Sequence, residues 1–587
     1  MPPAQNPRGP KSDDPPGEAR LEGWGEIALY LKREVRTVQR YEQTAKLPVH
    51  RFPTGTVYAY RSELDEWLKR DPAPEPPTAA TVGVEIVPKP PVAYPKWKIA
   101  VASAGLVLLG GLAVFLWLWF RTPPPAAPAP KVRLFVRAFK NLSGPADDEF
   151  TKGLTLEITS KLVRLDPDIL AVIAPTTAEK YSASTTSELM RILKVDYVLE
   201  GSVRRAKDKD EMHIDGQLIA TVDETLKWSD GYNGSLVDIL NVEDRLVAGV
   251  AHALNVKPKH AAKTPPKTPV DINGYEAYLA GRRAWALRDL PGAVTAFQKA
   301  AKLLPVYAPA HSGLAAAYAV MGQSPNDGLE PRQSAPMAVK EAHIALQLDP
   351  RSAESHCVLG NLALSYDWDF PTAEREFREA LALEPGNATA HQWLGQYFMV
   401  MNSIPEAQGE TSQALELDPA SPIFITARAE AFYYARDFDS TISHAQIAVQ
   451  QFPQFVLGEF WLGSAYREKK MYAESLAHFQ HALTLAPKNP ALLMAYGHAL
   501  AVSGDHAGAK AKLAELQAMA RDRYVPAIYF AGIYTGLGDI DNAFAWLQKA
   551  VQQRNDRLIY LREDPISDPL RADPRFAALM QQVHTAD

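Results

Sequence analysis

Hydrophobic positions fall into four successive regimes along the 587 residues. From 21 to 70 they come in short mixed runs. Between Ile99 and Phe120 they form one stretch of 22 residues without a charge. From 131 to 255 they switch between period two and period 3.6. From 274 to 560, small and large residues recur at a spacing near 34. Period two marks a half-buried strand, and 3.6 an amphipathic helix. A recurrence in the range of about 20–50 residues marks stacked repeats. A chain of this length outgrows one core, so three to five units are expected.

The uncharged stretch predicts a transmembrane helix over 99–120. At ~1.5 Å per residue it reaches roughly 33 Å, against a hydrocarbon core of ~30 Å. Trp97 stands at one end and Trp117, Trp119 and Phe120 at the other, as interfacial aromatics do. Pro-rich linkers, 71–98 and 121–130, flank it. Three Lys/Arg precede it within twenty residues and five follow, which leans toward a cytoplasmic C-terminus. Residues 1–20 have no apolar run and read as a disordered leader.

In 21–70, Trp24 to Leu31 reads as a short helix with Ile27 and Leu31 inward. Thr37 caps a second helix through Glu42, Leu47-Pro48 ends it, and Val49 to Tyr60 alternates as a hairpin around Thr54-Gly55. Ser62 caps a third helix carrying Leu64 and Trp67. From Lys32 to Arg61 there are seven Lys/Arg against two acids. The string Ala28, Leu31, Thr37-Val38-Gln39-Arg40-Tyr41, Leu47-Pro48, Ser62, Leu64, Trp67 resembles the small winged helix-turn-helix of MerR-type regulators and phage excisionases. The resemblance implies DNA binding, with Arg36, Thr37, Gln39 and Arg40 on a helix that enters the major groove and Lys46 and Arg51 holding phosphate. The alternative is a basic face that binds protein. No long dimerisation helix follows Trp67, in contrast to full MerR regulators, so a homodimer would have to form elsewhere.

Residues 131–255 read as β-α-β-α-β-β-α, a small α/β domain. Phe139-Lys140-Asn141-Leu142-Ser143-Gly144, Gly153-Leu154, Tyr197-Val198-Leu199-Glu200-Gly201-Ser202-Val203-Arg204 and Trp228-Ser229 resemble the TolB-like domain of bacterial sensor and regulator proteins. That resemblance assigns no ligand. A linker, 256–273, follows.

Over 274–560, Ala293-Phe297-Ala300-Pro305 and Ala373-Phe377-Ala380-Pro385 repeat one pattern, with weaker copies centred on Ala342, Thr411, Ala445 and Phe479. Gly281, Ala315, Gly360, Gly395, Ala429, Gly463, Gly497 and Ala531 stand upstream at the tight helix contacts. This resembles the tetratricopeptide repeat (TPR), with about eight copies, an insertion near 323–334 and a C-terminal cap, 561–587. The resemblance implies an all-α superhelix whose concave face binds protein or peptide.

Composition narrows the chemistry. The single cysteine, Cys357, excludes an intramolecular disulfide and a cysteine-rich zinc site. No phosphate loop, zinc helix motif or Gly-x-Ser-x-Gly is present. His311, His356 and His391 recur at one repeat position, which points to packing between helices. No catalytic residue, cofactor or metal is expected, and no enzyme activity.

The domain order resembles CadC/ToxR-type membrane-bound one-component regulators. It implies a single-pass protein of a bacterial inner membrane, with a cytoplasmic head on DNA and a periplasmic TolB-like and TPR region that binds a signal or partner. The bilayer is then a third partner. A scaffold for complex assembly that does not bind DNA is the alternative.

Overall fold

The computed structural model describes residues 20–31, 38, 41–42, 47–51, 57–70, 131–166, 169–206, 211–257, 271–323 and 329–583. The chain divides into two compact units, Met1–Pro123 and Pro124–Asp587.

In the first unit, β1 (Arg20–Glu22), α1 (Gly23–Tyr30), β2 (His50–Arg51), β3 (Val57–Tyr60) and α2 (Arg61–Arg70) follow in order. Strand β3 lies between β1 and β2, antiparallel to both. Ile27, Leu31, Val38, Tyr41, Leu47, Val57, Leu64 and Trp67 close one small core, with the Tyr41 and Trp67 rings 5.8 Å apart. Few apolar side chains close this core, so each one counts. The Tyr30 hydroxyl donates to Asp65 (2.8 Å) and ties α1 to α2.

The second unit begins with an α/β part. Its elements are β4 (Val132–Val136), β5 (Lys140–Asn141), α3 (Asp148–Val163), β6 (Leu170–Val172), α4 (Pro175–Lys180), α5 (Thr186–Leu193), β7 (Tyr197–Arg205), β8 (Glu211–Ala220), β9 (Leu226–Ser235) and α6 (Ile239–Ala253). The sheet runs β6-β4-β7-β8-β9, with β5 also on β7. Strand β4 is parallel to β6 and β7, whereas β7, β8 and β9 are antiparallel. Both faces are covered. Phe135 and Val198 pack with Leu189 and Leu193 on one side, while Leu134 and Leu199 join the larger core with α3 and α6. Strand β9 is absent from the sequence reading. It is an edge strand and mostly exposed, so it carries no alternation to detect.

Eight helical hairpins follow: α7 (Ile272–Ala286) with α8 (Leu290–Leu303), α9 (Ala308–Gln323) with α10 (Pro331–Leu348), α11 (Ala353–Leu362) with α12 (Phe370–Leu383), and α13 (Ala388–Val400) with α14 (Ile404–Leu417). Then come α15 (Pro422–Tyr434) with α16 (Phe438–Gln451), α17 (Val456–Glu468) with α18 (Tyr472–Leu485), α19 (Pro490–Val502) with α20 (His506–Met519), and α21 (Ala527–Gly536) with α22 (Ile540–Gln552). The first helices of successive hairpins touch one another and form the inner layer. Several hairpin turns share one device. A residue at positive φ, such as Arg288 (61°), Trp368 (61°) or Arg436 (59°), precedes an Asp whose carboxylate caps the second helix. Phe297, Phe377 and Phe479 fill the grooves left by Gly281, Gly360 and Gly463, where a Cβ would come within 2.8 Å of the ring. The large all-helical TPR superhelix read from the 34-residue recurrence is therefore present.

Past α22 the chain turns back through two 3₁₀ segments, Asp556–Tyr560 and Pro565–Leu570, to α23 (Pro574–Val583). Residues 555–570 form a strap.

The membrane localisation expected above is corrected. Among the described residues no helix is long and apolar enough to cross a bilayer. The longest, α10, contains Pro336 and bears Arg332, Lys340 and Glu341. It buries Ala335, Ala338, Ala342 and Ala345 on its neighbours and keeps the opposite face polar, which is the reverse of what lipid requires. The predicted span 99–120 lies outside the described residues. An inner-membrane address, its orientation and a lipid partner have no support in the structure.

Candidate functional site

The predicted DNA-contacting residues Arg36, Thr37, Gln39, Arg40 and Lys46 lie outside the described residues. Arg51 is on β2, paired in register with Val57. Beside it His50 Nε2 is 2.7 Å from Glu63 and its ring stacks on Tyr58 at 5.2 Å. These contacts fix β2 against α2 and β3.

The recurrent histidines bridge the two helices of a hairpin. Nδ1 of His311, His356 and His391 lies 2.6, 2.7 and 2.6 Å from Glu341, Glu376 and Glu410. Nε2 of His391 reaches the Pro385 carbonyl at 3.0 Å. Each ring is thereby engaged in packing, and among the described residues no cluster of three ligands suits a metal. Cys357 is buried, and burial pushes its thiol well up.

Sequence reasoning missed the interface between the α/β part and the repeats. Helix α3 lies against α7 so closely that a Cβ on Gly153 would come 2.7 Å from Cβ of Leu279. The Tyr278 hydroxyl donates to buried Glu157 (2.7 Å), and the Tyr275 hydroxyl donates to Glu243. Lys161 bridges Glu243 (2.9 Å) and Asp244 (2.7 Å). Burial pushes the Glu157 carboxyl up, but Arg282, Lys161 and Arg164 outweigh it and hold it below its usual range. Burial lifts the Glu243 carboxyl to about 7; nearby Glu157 adds to this and Lys161 opposes it. Farther along, the Thr177 hydroxyl donates to Asp418 (2.6 Å) and accepts from the Ala420 amide (2.9 Å). Lys180 donates to Gln451 (2.8 Å) and sits 4.7 Å over the Phe452 ring. No single residue of this set has a telling spacing, because the partners are 32 to 271 positions apart in the chain.

Between these attachment points is a cleft of about 1040 Å³. Its walls are α3, β6 and α4 on one side. On the other are the ends of α7 and the starts of α13, α15 and α17. Trp285, Trp393, Phe424, Phe452 and Phe455 line it. Arg282 is paired with Glu354 (3.2 Å) and Arg164 with Glu384 (3.5 Å). Arg288 is exposed and has no carboxylate partner among the described residues; its guanidinium stands 5.5 Å from the Trp285 ring.

The inner face of the repeats, where the sequence reading puts a peptide, is partly filled by the chain's own strap. Tyr560 stacks on Tyr434 at 4.9 Å and 11°. Arg557 reaches Glu430 (3.4 Å), and Arg436 holds Asp568 through two bonds of 2.8 and 2.6 Å. Arg554 lies 4.3 Å over the Trp368 ring. Burial raises the carboxyls of Glu430, Asp556 and Asp564.

A family model described as "Tetratricopeptide repeat" matches residues 426–490, within α15 to α18 and the start of α19. A curated relative, putative adenylate cyclase 3 of Rhizobium meliloti strain 1021, is 33% identical over 167 residues. Those residues are 28% of this chain and 28% of the relative, so the chain spans little more than a quarter of that protein's length. Among solved structures, TTC0263, a thermophilic TPR protein of Thermus thermophilus, is 20% identical, with 33% of this chain and 98% of that chain covered and a TM-score of 0.29. PilW, a type IV pilus biogenesis factor, is 18% identical over 36% of this chain and 94% of that one, with a TM-score of 0.30. Residues 426–490 thus match the tetratricopeptide repeat, and the hairpins on either side continue the same helical stacking.

Proposed function

We propose that this protein is a TPR scaffold that assembles a protein complex without catalysing a reaction. The observation that carries the reading is the cleft between the α/β part and the array. It is built from stacked repeats and lined by five aromatic side chains, and the charge on Arg288 is not matched. Aromatic side chains in such a wall are what a partner's anchor residues bury against, and an unmatched guanidinium favours a carboxylate. The partner expected is an extended segment with apolar and acidic residues. The inner face beneath the strap is less accessible to such a segment, since the chain itself occupies it.

The test uses the full chain and a set of immobilised peptides graded in charge and apolar content. Peptides combining aromatic and acidic residues should be retained, and Arg288→Glu or Trp393→Ala should weaken them by about tenfold, the size expected for loss of one anchor. Retention that ignores peptide charge and both substitutions would refute the cleft as the docking surface.

A second reading keeps the regulator resemblance. Its support is the first unit, where a helix, a three-stranded sheet and a second helix close a core of their own around the residues of the MerR/excisionase pattern. On this reading Arg36, Thr37, Gln39, Arg40, Lys46 and Arg51 contact DNA, a homodimer strengthens the contact, and the TolB-like and TPR parts receive the signal. Residues 1–75 would bind duplex DNA with affinity falling steeply as salt rises. Absence of binding, alone or as a forced dimer, would leave the scaffold reading by itself.

A further inference from the structure

Beneath the strap lies a second cavity, of about 330 Å³, distinct from the docking cleft. Cavities that take small molecules begin at about 300 Å³. The walls come from the inner helices of repeats four to eight and from the strap, and they are mostly apolar: Tyr434, Phe460, Trp461, Tyr529, Leu561 and Ile566 all face it. Two polar atoms on residues of the same walls have no hydrogen-bond partner, Nη1 of Arg467 and Oγ of Ser567. Both residues are almost fully buried, at 3% and 1% exposure. Native interiors satisfy nearly all such groups, so two orphans on residues that wall one cavity call for partners.

The charges around the cavity say which kind. Arg467 already spends its other nitrogens, donating from Nε to Glu468 (2.8 Å) and from Nη2 to the Tyr433 hydroxyl (2.8 Å). Its charge is matched by Glu468, and what remains is the Nη1 amino group, whose two N–H groups want acceptors. An anion placed there would also face Glu430 and Asp564, and a cation would face Arg467 and Arg557. A neutral group meets neither obstacle. A carbonyl oxygen can accept from Arg467 Nη1, and an adjoining N–H can donate to Ser567 Oγ.

We propose that this cavity binds a small uncharged molecule with an aromatic or apolar body and a carboxamide-like polar end. Arg467 belongs to the array and Ser567 to the strap, so the bound molecule ties one to the other. The same chemistry can arrive as a free molecule or as one residue of a peptide.

Calorimetry on the full chain, with naphthalene-2-carboxamide, naphthalene-2-carboxylate and N-acetyltryptophanamide, tests this. One or both amides should bind at one site per chain, at least ~10-fold tighter than the carboxylate, as expected when a buried charge is left unmatched. The tighter of the two amides tells which source the site prefers. Ser567→Ala should weaken the amide by ~5-fold, the worth of one hydrogen bond, yet leave the melting temperature unchanged or higher, because an orphan hydroxyl has gone. Binding should slow amide exchange in residues 555–570. If neither amide saturates, if the carboxylate binds as tightly, or if Ser567→Ala or strap exchange does not respond, the proposal fails.

Discussion

Gly153 and Gly409 are both helical glycines, and their surroundings give them opposite roles. A methyl group at 153 would meet Leu279 at 2.7 Å, across the junction of the α/β part with the array. At 409 nothing lies within 4 Å. Gly153→Ala should therefore cost about 1–3 kcal/mol through overpacking. Gly409→Ala should add up to ~1 kcal/mol, because alanine gives up less backbone freedom in a helix. Shifts of the urea midpoint in opposite directions would bear this out; shifts of the same sign would contradict it. Glu243 gives a second residue-scale outcome. Its carboxyl is raised to about 7 by burial, so the folded chain holds a proton that the unfolded chain releases near 4.5. Between those values the folded state binds more protons, and stability must fall as pH rises. The contribution is fully present below about pH 4.5 and is lost as pH passes about 7. Glu243→Gln should flatten that window in a denaturation series from pH 4.5 to 8. A series as steep as the parent's would show that other groups carry the dependence.

At the scale of elements, each repeat depends on its neighbours more than on the whole. Phe479 is fully buried and fills the groove at Gly463. Its replacement by Ala should cost about 3–5 kcal/mol. In a stacked array that loss is felt by the adjoining hairpins first. Amide exchange should accelerate in α17 to α20 while α7 to α9 stay protected; uniform acceleration would mean that the array opens as one unit. The Asp caps and the positive-φ residues before them were open to sequence reading only in part. Gly504 and Gly538 announce their turns, but Arg288, Trp368, Arg436 and Lys470 adopt the same geometry without a glycine to mark it. An Asp cap on the following residue accompanies the first three, whereas Met471 after Lys470 makes no side-chain cap and helix packing holds that turn.

For the whole molecule, the strap decides which surfaces remain for partners. It covers Tyr434 with Tyr560 and engages Glu430 and Arg436. A chain ending at Arg554 would uncover the aromatic floor of repeats five and six. It should bind a hydrophobic dye in proportion to that surface and melt at a lower temperature. An unchanged dye signal would mean that the inner face closes without the strap. The exposed Arg436–Asp568 pair contributes little to this on its own, since solvent screens it; the buried rings contribute more.

Sequence by itself determined the repeats. A period of 34 with glycine, alanine and phenylalanine at fixed offsets leaves one way to stack, because only small residues let paired helices approach and only a large ring fills the next groove. It also determined the strands β4, β6, β7 and β8, through apolar runs and, in β8, a clean alternation, but not β9, which is an edge strand and mostly exposed. Tertiary structure alone decided the rest. The docking of α3 on α7, the buried set of Glu157, Glu243, Tyr275 and Tyr278, the cleft at Arg288 and the return of the strap all join residues far apart in the chain. Periodicity records which face of an element is buried, and it does not record what that face is buried against.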